Sequence, residues 1–238
     1  MIKAITFDLW NTLFENISYS DERLSILFEN LININHNIQI STLRTLYNKY
    51  FSFINPDFKS INHHHVYAKE RITHLLNDLK INLSSIELNS LIKQLENVML
   101  KNPPSLKSGV KETLITLSQK YKLGIISDTG ITPGRIIRIA LNQYDLLNLF
   151  QITIFSDETG YYKPHIFAFK AALDKLECKP EDSIHIGDLL ETDIKGAKNF
   201  KMSTIWLRSP SNKFQIDIQP DYEIDKISEV IEIVESIK

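Results

Sequence analysis

A chain of 238 residues with 43% hydrophobic and 24% charged side chains can bury a real core, as one large folded unit or two modest ones, in the manner of an ordinary globular protein. Lys and Arg number 27 against 29 Asp and Glu, a formal charge of -2, which excludes a global pull toward nucleic acid or an anionic membrane. Cys178 stands alone, which excludes an internal disulfide; no apolar run nears the ~20 residues that span a bilayer and no leader pattern opens the chain, so the expectation is a cytoplasmic protein.

The first predicted element is a strand over Ile2–Phe7, and it delivers Asp8 into the loop Asp8-Leu9-Trp10-Asn11-Thr12-Leu13. From 14 to 107 the texture is helical throughout. Leu24, Leu27, Phe28 and Leu31 recur on one face behind Ser20-Asp21-Glu22, read as a cap with an acidic first turn. Leu43, Leu46, Tyr47, Tyr50 and Phe51 repeat the pattern behind Ser41. Ala68, Ile72, Leu75, Leu76 and Leu79 form a third stripe, and Leu88, Leu91, Ile92 and Leu95 a fourth, behind the capping box Ser84-Ser85-Ile86-Glu87. Four amphipathic helices can close a small core of their own, so the stripes are read as packing surfaces. The run Asn62-His63-His64-His65 invites a metal reading. Consecutive residues of a helix point in different directions, however, so a solvated helix start is preferred.

From 108 onward strands and helices alternate. The strands are Lys122–Ser127, Gln151–Phe155, Ser183–Gly187 and Thr204–Leu207, apolar runs of the kind found in strands covered on both faces. The helices are Val110–Tyr121, Pro133–Leu141 with Pro133 first behind a Thr132 cap, Ile166–Leu176 opened by Pro164, and Thr192–Asn199. Ser209 to Lys238 reads as a loop, a short edge strand near Tyr222–Ile224 and a final helix, with no chemistry assigned. Strand and helix in turn predict an α/β fold: a parallel sheet with helices on both faces, built from residues 1–13 and 108–238, with an all-helical insert at 14–107. Such sheets bind ligands beyond the carboxyl ends of their strands, and an insert directly after the first strand is placed to be a lid.

The chemistry-bearing residues gather at those ends. Asp8 is a candidate nucleophile that splits one hard displacement into two easier ones; alone it is only a loop acid. Thr12 offers a hydroxyl to a phosphoryl oxygen. Ser127 ends a strand and offers a hydroxyl and backbone donors, although by itself it reads as a turn former or helix cap. Lys163, before Pro164, can neutralise charge on a transferred group; alone it reads as a surface lysine. Asp188 and Asp193 flank a helix start and suit a hard cation such as Mg2+, whereas Glu191 reads as an acid favourable to a first helical turn.

Together, in this order, these fragments resemble the haloacid dehalogenase-like hydrolase superfamily: Asp8 to Leu13 its first motif, Ser127 its second, Lys163-Pro164 its third, and Gly187-Asp188 with Asp193 its fourth. The likeness runs to about Leu207, and the insert matches the family's C1 cap in position and texture. It implies a Rossmann-like core with a pocket between core and cap, and a small phosphorylated substrate as partner. Asp8 would be the nucleophile; Asn11, Thr12, Ser127 and Lys163 would bind the phosphoryl oxygens. Mg2+ would be held by Asp8, the carbonyl of Trp10, Asp188 and Asp193. In the family's phosphatases another Asp usually stands two residues after the nucleophile and shuttles the proton; Trp10 can do this neither as acid nor as base, its indole N–H being a donor with no useful acidity. Trp10 also reads as a hydrophobic plug beneath the cap. The rival reading is a metal-independent 2-haloacid dehalogenase, which resembles this chain in lacking that Asp, with Arg23, Arg44 and Arg71 as candidate substrate cations. The acids at 188 and 193, and Asp128 where those enzymes carry Asn, weigh against it. A third reading is a low-turnover binding protein on the same fold.

Overall fold

The computed structural model describes residues 1–34, 36–51, 63–208 and 218–237. A buried strand, β1 (Ala4–Phe7), is followed by four helices: α1 (Ser20–Asn33), α2 (Ile40–Phe51), α3 (Ala68–Asp78) and α4 (Ser85–Glu96). The chain then alternates through α5 (Val110–Ser118), β2 (Lys122–Ser127), α6 (Gly134–Gln143), β3 (Ile152–Phe155), the short α7 (Ser156–Thr159) and α8 (Ile166–Leu176). It ends with β4 (Ser183–Gly187), α9 (Lys195–Asn199), β5 (Ser203–Leu207), β6 (Tyr222–Ile224) and α10 (Val230–Ser236).

The six strands form one parallel sheet in the order β3-β2-β1-β4-β5-β6. Its direction of growth reverses beside β1, between β1 and β4, and the crevice at such a switch point is where doubly wound sheets place their ligands. Alternation along the strands sorts the side chains. Ile5, Phe7, Leu123, Ile125, Ile184 and Ile186 pack with α5, α6 and α10 on one face. Ala4, Ile126 and Ile154 pack with α8 and α9 on the other. Helices α1 to α4 each pack against two of their fellows, around Leu24, Leu27, Leu31, Leu43, Ile72, Leu75, Leu91 and Leu95. Phe14, Tyr19, Val98 and Met99, although within the helical stretch by sequence, pack in the sheet's own core. The stretch leaves and rejoins the sheet side by side: Phe14 bridges Leu106, Glu15 N–H donates to the Ser105 carbonyl (2.8 Å), and Lys107 N–H donates to the Leu13 carbonyl (2.9 Å). Among the described residues no helix is long and apolar enough to cross a membrane.

Several local expectations are corrected. Helix α1 starts at Ser20 itself, with Tyr19 at the cap position and no side-chain cap; the Ser20 N–H turns instead to Ser18 Oγ (3.3 Å). Helix α2 starts at Ile40, which leaves Ser41 inside the first turn. Pro133 precedes α6 in extended conformation, and the Gly134 N–H is capped by the Asp157 carboxylate across space (3.1 Å). Helix α8 is capped by His165, whose ring nitrogen accepts from the Phe167 N–H (3.3 Å), and Pro164 lies outside it. Thr192–Asn199 divides into a π-helical turn at Leu190–Ile194 and α9. The capping box at Ser84 and Glu87 forms as predicted. The histidine run is not a helix start: His64 bridges Tyr161, and His65 is buried. Asn62 and residues 209–217, where a loop is expected from the sequence, lie outside the described residues.

Candidate active site

Asp8 is carried straight out of β1, and its N–H donates to the Ile186 carbonyl of the neighbouring β4 (2.8 Å). Its buried carboxylate meets a buried ammonium. Lys163 Nζ lies 2.5 Å from Asp8 Oδ1 and 2.6 Å from Asp193 Oδ1, and donates to the Ile126 carbonyl at 2.9 Å. What aims Lys163 inward is its loop. Gly160 ends α7 at φ 77, in the left-handed region open to glycine, and the Lys163 N–H is anchored on Asp128 Oδ1 (2.9 Å) ahead of a cis bond to Pro164. A lysine buried this deeply stays only where carboxylates compensate it.

On the far side of β1, the end of β4 supplies Asp188, and the π-helical turn brings Asp193 back beneath it. Asp193 Oδ2 accepts from the Leu189 N–H at 3.0 Å. Gly187 makes this approach possible, since a Cβ there would stand 2.3 Å from the Asp193 carboxyl carbon. The indole N–H of Trp206, on the adjoining strand, donates to the Asp188 carbonyl at 2.8 Å. One carboxylate oxygen from each of Asp8, Asp188 and Asp193 falls within 4.8 Å of the others. An all-oxygen set of three acids fits a hard divalent cation.

The remaining candidates border this centre. Ser127 is buried at the end of β2 and makes a long bond to the Asp128 carbonyl (3.4 Å). Thr12 is fully buried, and its hydroxyl has no hydrogen-bond partner among the described residues, an open position that suits a bound oxyanion. Asn11 adopts left-handed φ (58) and its carbonyl receives Lys107 Nζ at 2.8 Å. Trp10 is half-buried and packs its ring at a tilt on Phe14, 6.2 Å between centroids. Glu191 is exposed. Arg44 pairs with Asp21 at the surface (2.8 Å). Arg71 is buried on the Tyr50 and Val66 carbonyls and the Tyr162 hydroxyl. Arg23 reaches from α1 to the Leu95 carbonyl and Thr132 Oγ1 (2.6 Å).

Burial pushes Asp8 up to about 6, with Lys163 opposing and Asp193 adding to the rise. Burial also works against the charge of Asp193, but Lys163 and His185 prevail and hold it near 2. Lys163 is raised: burial disfavours its charge, and Asp193, Asp8 and Asp128 more than offset that. Sequence reasoning passed over His185. It is fully buried between Thr6 Oγ1 (2.9 Å) and Asp193 Oδ1 (3.6 Å), and the only signal for it was an unexplained histidine within a buried strand.

The doubly wound sheet thus carries a carboxylate–lysine–carboxylate centre at its switch point, where α/β folds of this class bind their ligands. The chain belongs to the haloacid dehalogenase-like hydrolases, whose sequence model matches residues 5–207. The glyceraldehyde 3-phosphate phosphatase of Pyrococcus furiosus is 28% identical over 242 residues, covering 98% of this chain and 93% of that protein. Among solved structures, a 2-haloacid dehalogenase from Pseudomonas syringae pv. Tomato DC3000 superposes with a TM-score of 0.72 at 22% identity, covering 99% of each chain. The hydrolase YfnB of Bacillus subtilis, bound to magnesium, superposes with a TM-score of 0.59 at 20% identity, covering 98% of each chain.

Proposed function

We propose that this protein is a Mg2+-dependent phosphatase of small phosphorylated metabolites, working through an aspartyl-phosphate at Asp8. The single observation that carries the reading is the cluster of Asp8, Asp188 and Asp193 around one buried lysine, with carboxylate oxygens within 4.8 Å. Lys163 pairs with Asp8 and Asp193, and a hard cation is the natural partner for the convergence of Asp188 with both. Mg2+ would be held by Asp8, Asp188 and the Trp10 carbonyl, with Asp193 beside them, and would neutralise charge on the phosphoryl group. Residues 1–13 and 108–238 act as the Rossmann-like core, and 14–107 as a C1-type cap enclosing the substrate.

In this reading Asp8 Oδ attacks phosphorus as the bond to the leaving oxygen breaks, and water then attacks the same phosphorus and releases Asp8. Lys163 stays protonated beside Asp8 and stabilises the equatorial oxygens. Thr12, Asn11 and Ser127 orient them. A three-carbon phosphate is a sensible first substrate, because a full-length relative is named a glyceraldehyde 3-phosphate phosphatase. The test is release of phosphate from p-nitrophenyl phosphate, acetyl phosphate and glyceraldehyde 3-phosphate, with Mg2+ and with EDTA. Activity that needs Mg2+ and disappears in Asp8→Asn is expected. Halide release from 2-chloropropionate that is indifferent to EDTA would instead make the protein a dehalogenase, and Mg2+ binding without turnover a binding protein.

A further inference from the structure

Trp10 occupies the place where a proton shuttle is needed, so the leaving oxygen has no acid on the loop of Asp8. We propose that Asp128 is the catalytic acid and base of this site, protonating the departing oxygen and then taking the proton of the attacking water. This rests on the phosphatase reading above and deepens it.

The position comes first. Asp128 directly follows Ser127 at the carboxyl end of β2, next to β1 in the sheet, so it opens onto the same crevice as Asp8. Its carboxylate is oriented rather than loose, because Oδ1 accepts the backbone N–H of Lys163, whose ammonium rests on Asp8. Its other oxygen, Oδ2, makes no hydrogen bond among the described residues and remains available to a substrate oxygen. Asp128 also stands outside the trio of acids that converge for a cation.

The surroundings suit the role. Burial raises the carboxyl to about 7; Lys163 opposes the rise, and Asp193 and Asp8 reinforce it. The groups that face it are the Lys163 ammonium, the carboxylates of Asp8 and Asp193, and the Tyr162 hydroxyl, whose own ionisation Asp128 disfavours. A carboxyl with one oxygen anchored and the other open to substrate can give a proton in one half-reaction and take it back in the next.

The two steps balance. In the first, Asp8 forms a bond to phosphorus, the bond from phosphorus to the substrate oxygen breaks, and the Asp128 proton goes to that oxygen to yield an alcohol. In the second, water bonds to phosphorus, the bond to Asp8 breaks, the water proton returns to Asp128, and phosphate leaves.

Asp128→Asn keeps an acceptor for the Lys163 N–H and removes only the transferable proton. The variant is compared with the wild-type protein in Mg2+ on two substrates, glycerol 2-phosphate and p-nitrophenyl phosphate. On glycerol 2-phosphate kcat is expected to fall about 10²-fold or more with KM little changed. On p-nitrophenyl phosphate, whose leaving group departs unprotonated, one equivalent of p-nitrophenolate should be released in a burst, followed by slow turnover as the aspartyl-phosphate waits for its base. The double variant Trp10→Asp with Asp128→Asn should recover turnover of glycerol 2-phosphate. Wild-type rates on both substrates in Asp128→Asn, or slow turnover of the aryl ester without a burst, would overturn the assignment while the Asp8-dependent phosphatase reading survives. A wild-type protein silent on every phosphate ester would overturn both.

Discussion

At the scale of single residues, the site depends on close approaches that leave no slack. Gly187 is the sharpest case: any Cβ there meets the Asp193 side chain at 2.3–2.5 Å. Gly187→Ala must therefore push Asp193 away from Lys163, although the strand can accept an alanine backbone. The expected result is a folded protein with phosphatase turnover down at least about tenfold, the order of one lost charge-assisted contact. A variant with wild-type turnover and an unchanged melting temperature would refute the geometry. Asp8, Ser127 and Asp188 were legible in the sequence because each ends or directly follows an apolar strand run, a local property, whereas Lys163 and Asp193 lie in a loop and a helical turn and were marked only by the order of the motifs. His65 was not. It sits in a run of three histidines with no apolar periodicity around it, and its burial comes from residues about ninety positions away, Ser156 and Tyr162. Asp128 was visible as an acid beside Ser127, but its value depends on the Lys163 N–H, which only the folded loop brings to it.

At the scale of elements, the segment before α3 is clasped to the loop that carries Lys163. Tyr162 N–H donates to the His63 carbonyl (2.7 Å), His65 N–H donates to the Gly160 carbonyl (2.8 Å), and the Tyr162 hydroxyl receives the Val66 N–H (3.2 Å) and an Arg71 nitrogen (3.3 Å). His65 closes the clasp with its ring nitrogen 3.1 Å from Ser156 Oγ. Burial first, and Arg71 second, push His65 down to about 4, against about 6.5 in an unfolded chain. The unfolded state thus binds the extra proton first. The contribution of His65 to stability is complete above about 6.5 and is lost as pH falls toward 4. Melting temperature should decline over that window by more in the wild type than in His65→Gln; parallel curves would show that His65 takes no part. Strands and helix cores were largely legible at this scale, whereas helix starts were not. The first N–H of α6 turns to Asp157 from another element and that of α1 to Ser18, and neither partner is marked by the spacing of the helix it serves.

At the scale of the whole molecule, one sheet with two covered faces and one separate cluster of helices account for the burial. The α/β class was legible because both-face burial produces uninterrupted apolar strands, while the order of those strands follows from long-range pairing that no local pattern records. The acid cluster should make the fold respond to metal. If Mg2+ binds only the folded protein, a free concentration a hundred times Kd stabilises it by roughly 2.7 kcal/mol, a rise of about 5–10 °C in melting temperature for a chain of this length. Thermal melts with Mg2+ and with EDTA should differ by that much in the wild type and much less in Asp188→Asn. An equal shift in both would remove Asp188 from the cation site.

The places where helices α1 to α4 are tied to the sheet have a mechanical consequence. The paired crossing at Phe14 and Leu106 adjoins the loop of Asp8, Arg23 is moored on Thr132 in the loop that begins at Ser127, and the bridge of His64 to Tyr161 grips the loop of Lys163. Three moorings on three different loops leave no single axle about which the helices can swing freely. Any rocking of that layer tugs the loops of Asp8, Ser127 and Lys163 together, so under the proposed function closure over a substrate and alignment of the reacting groups would be one event.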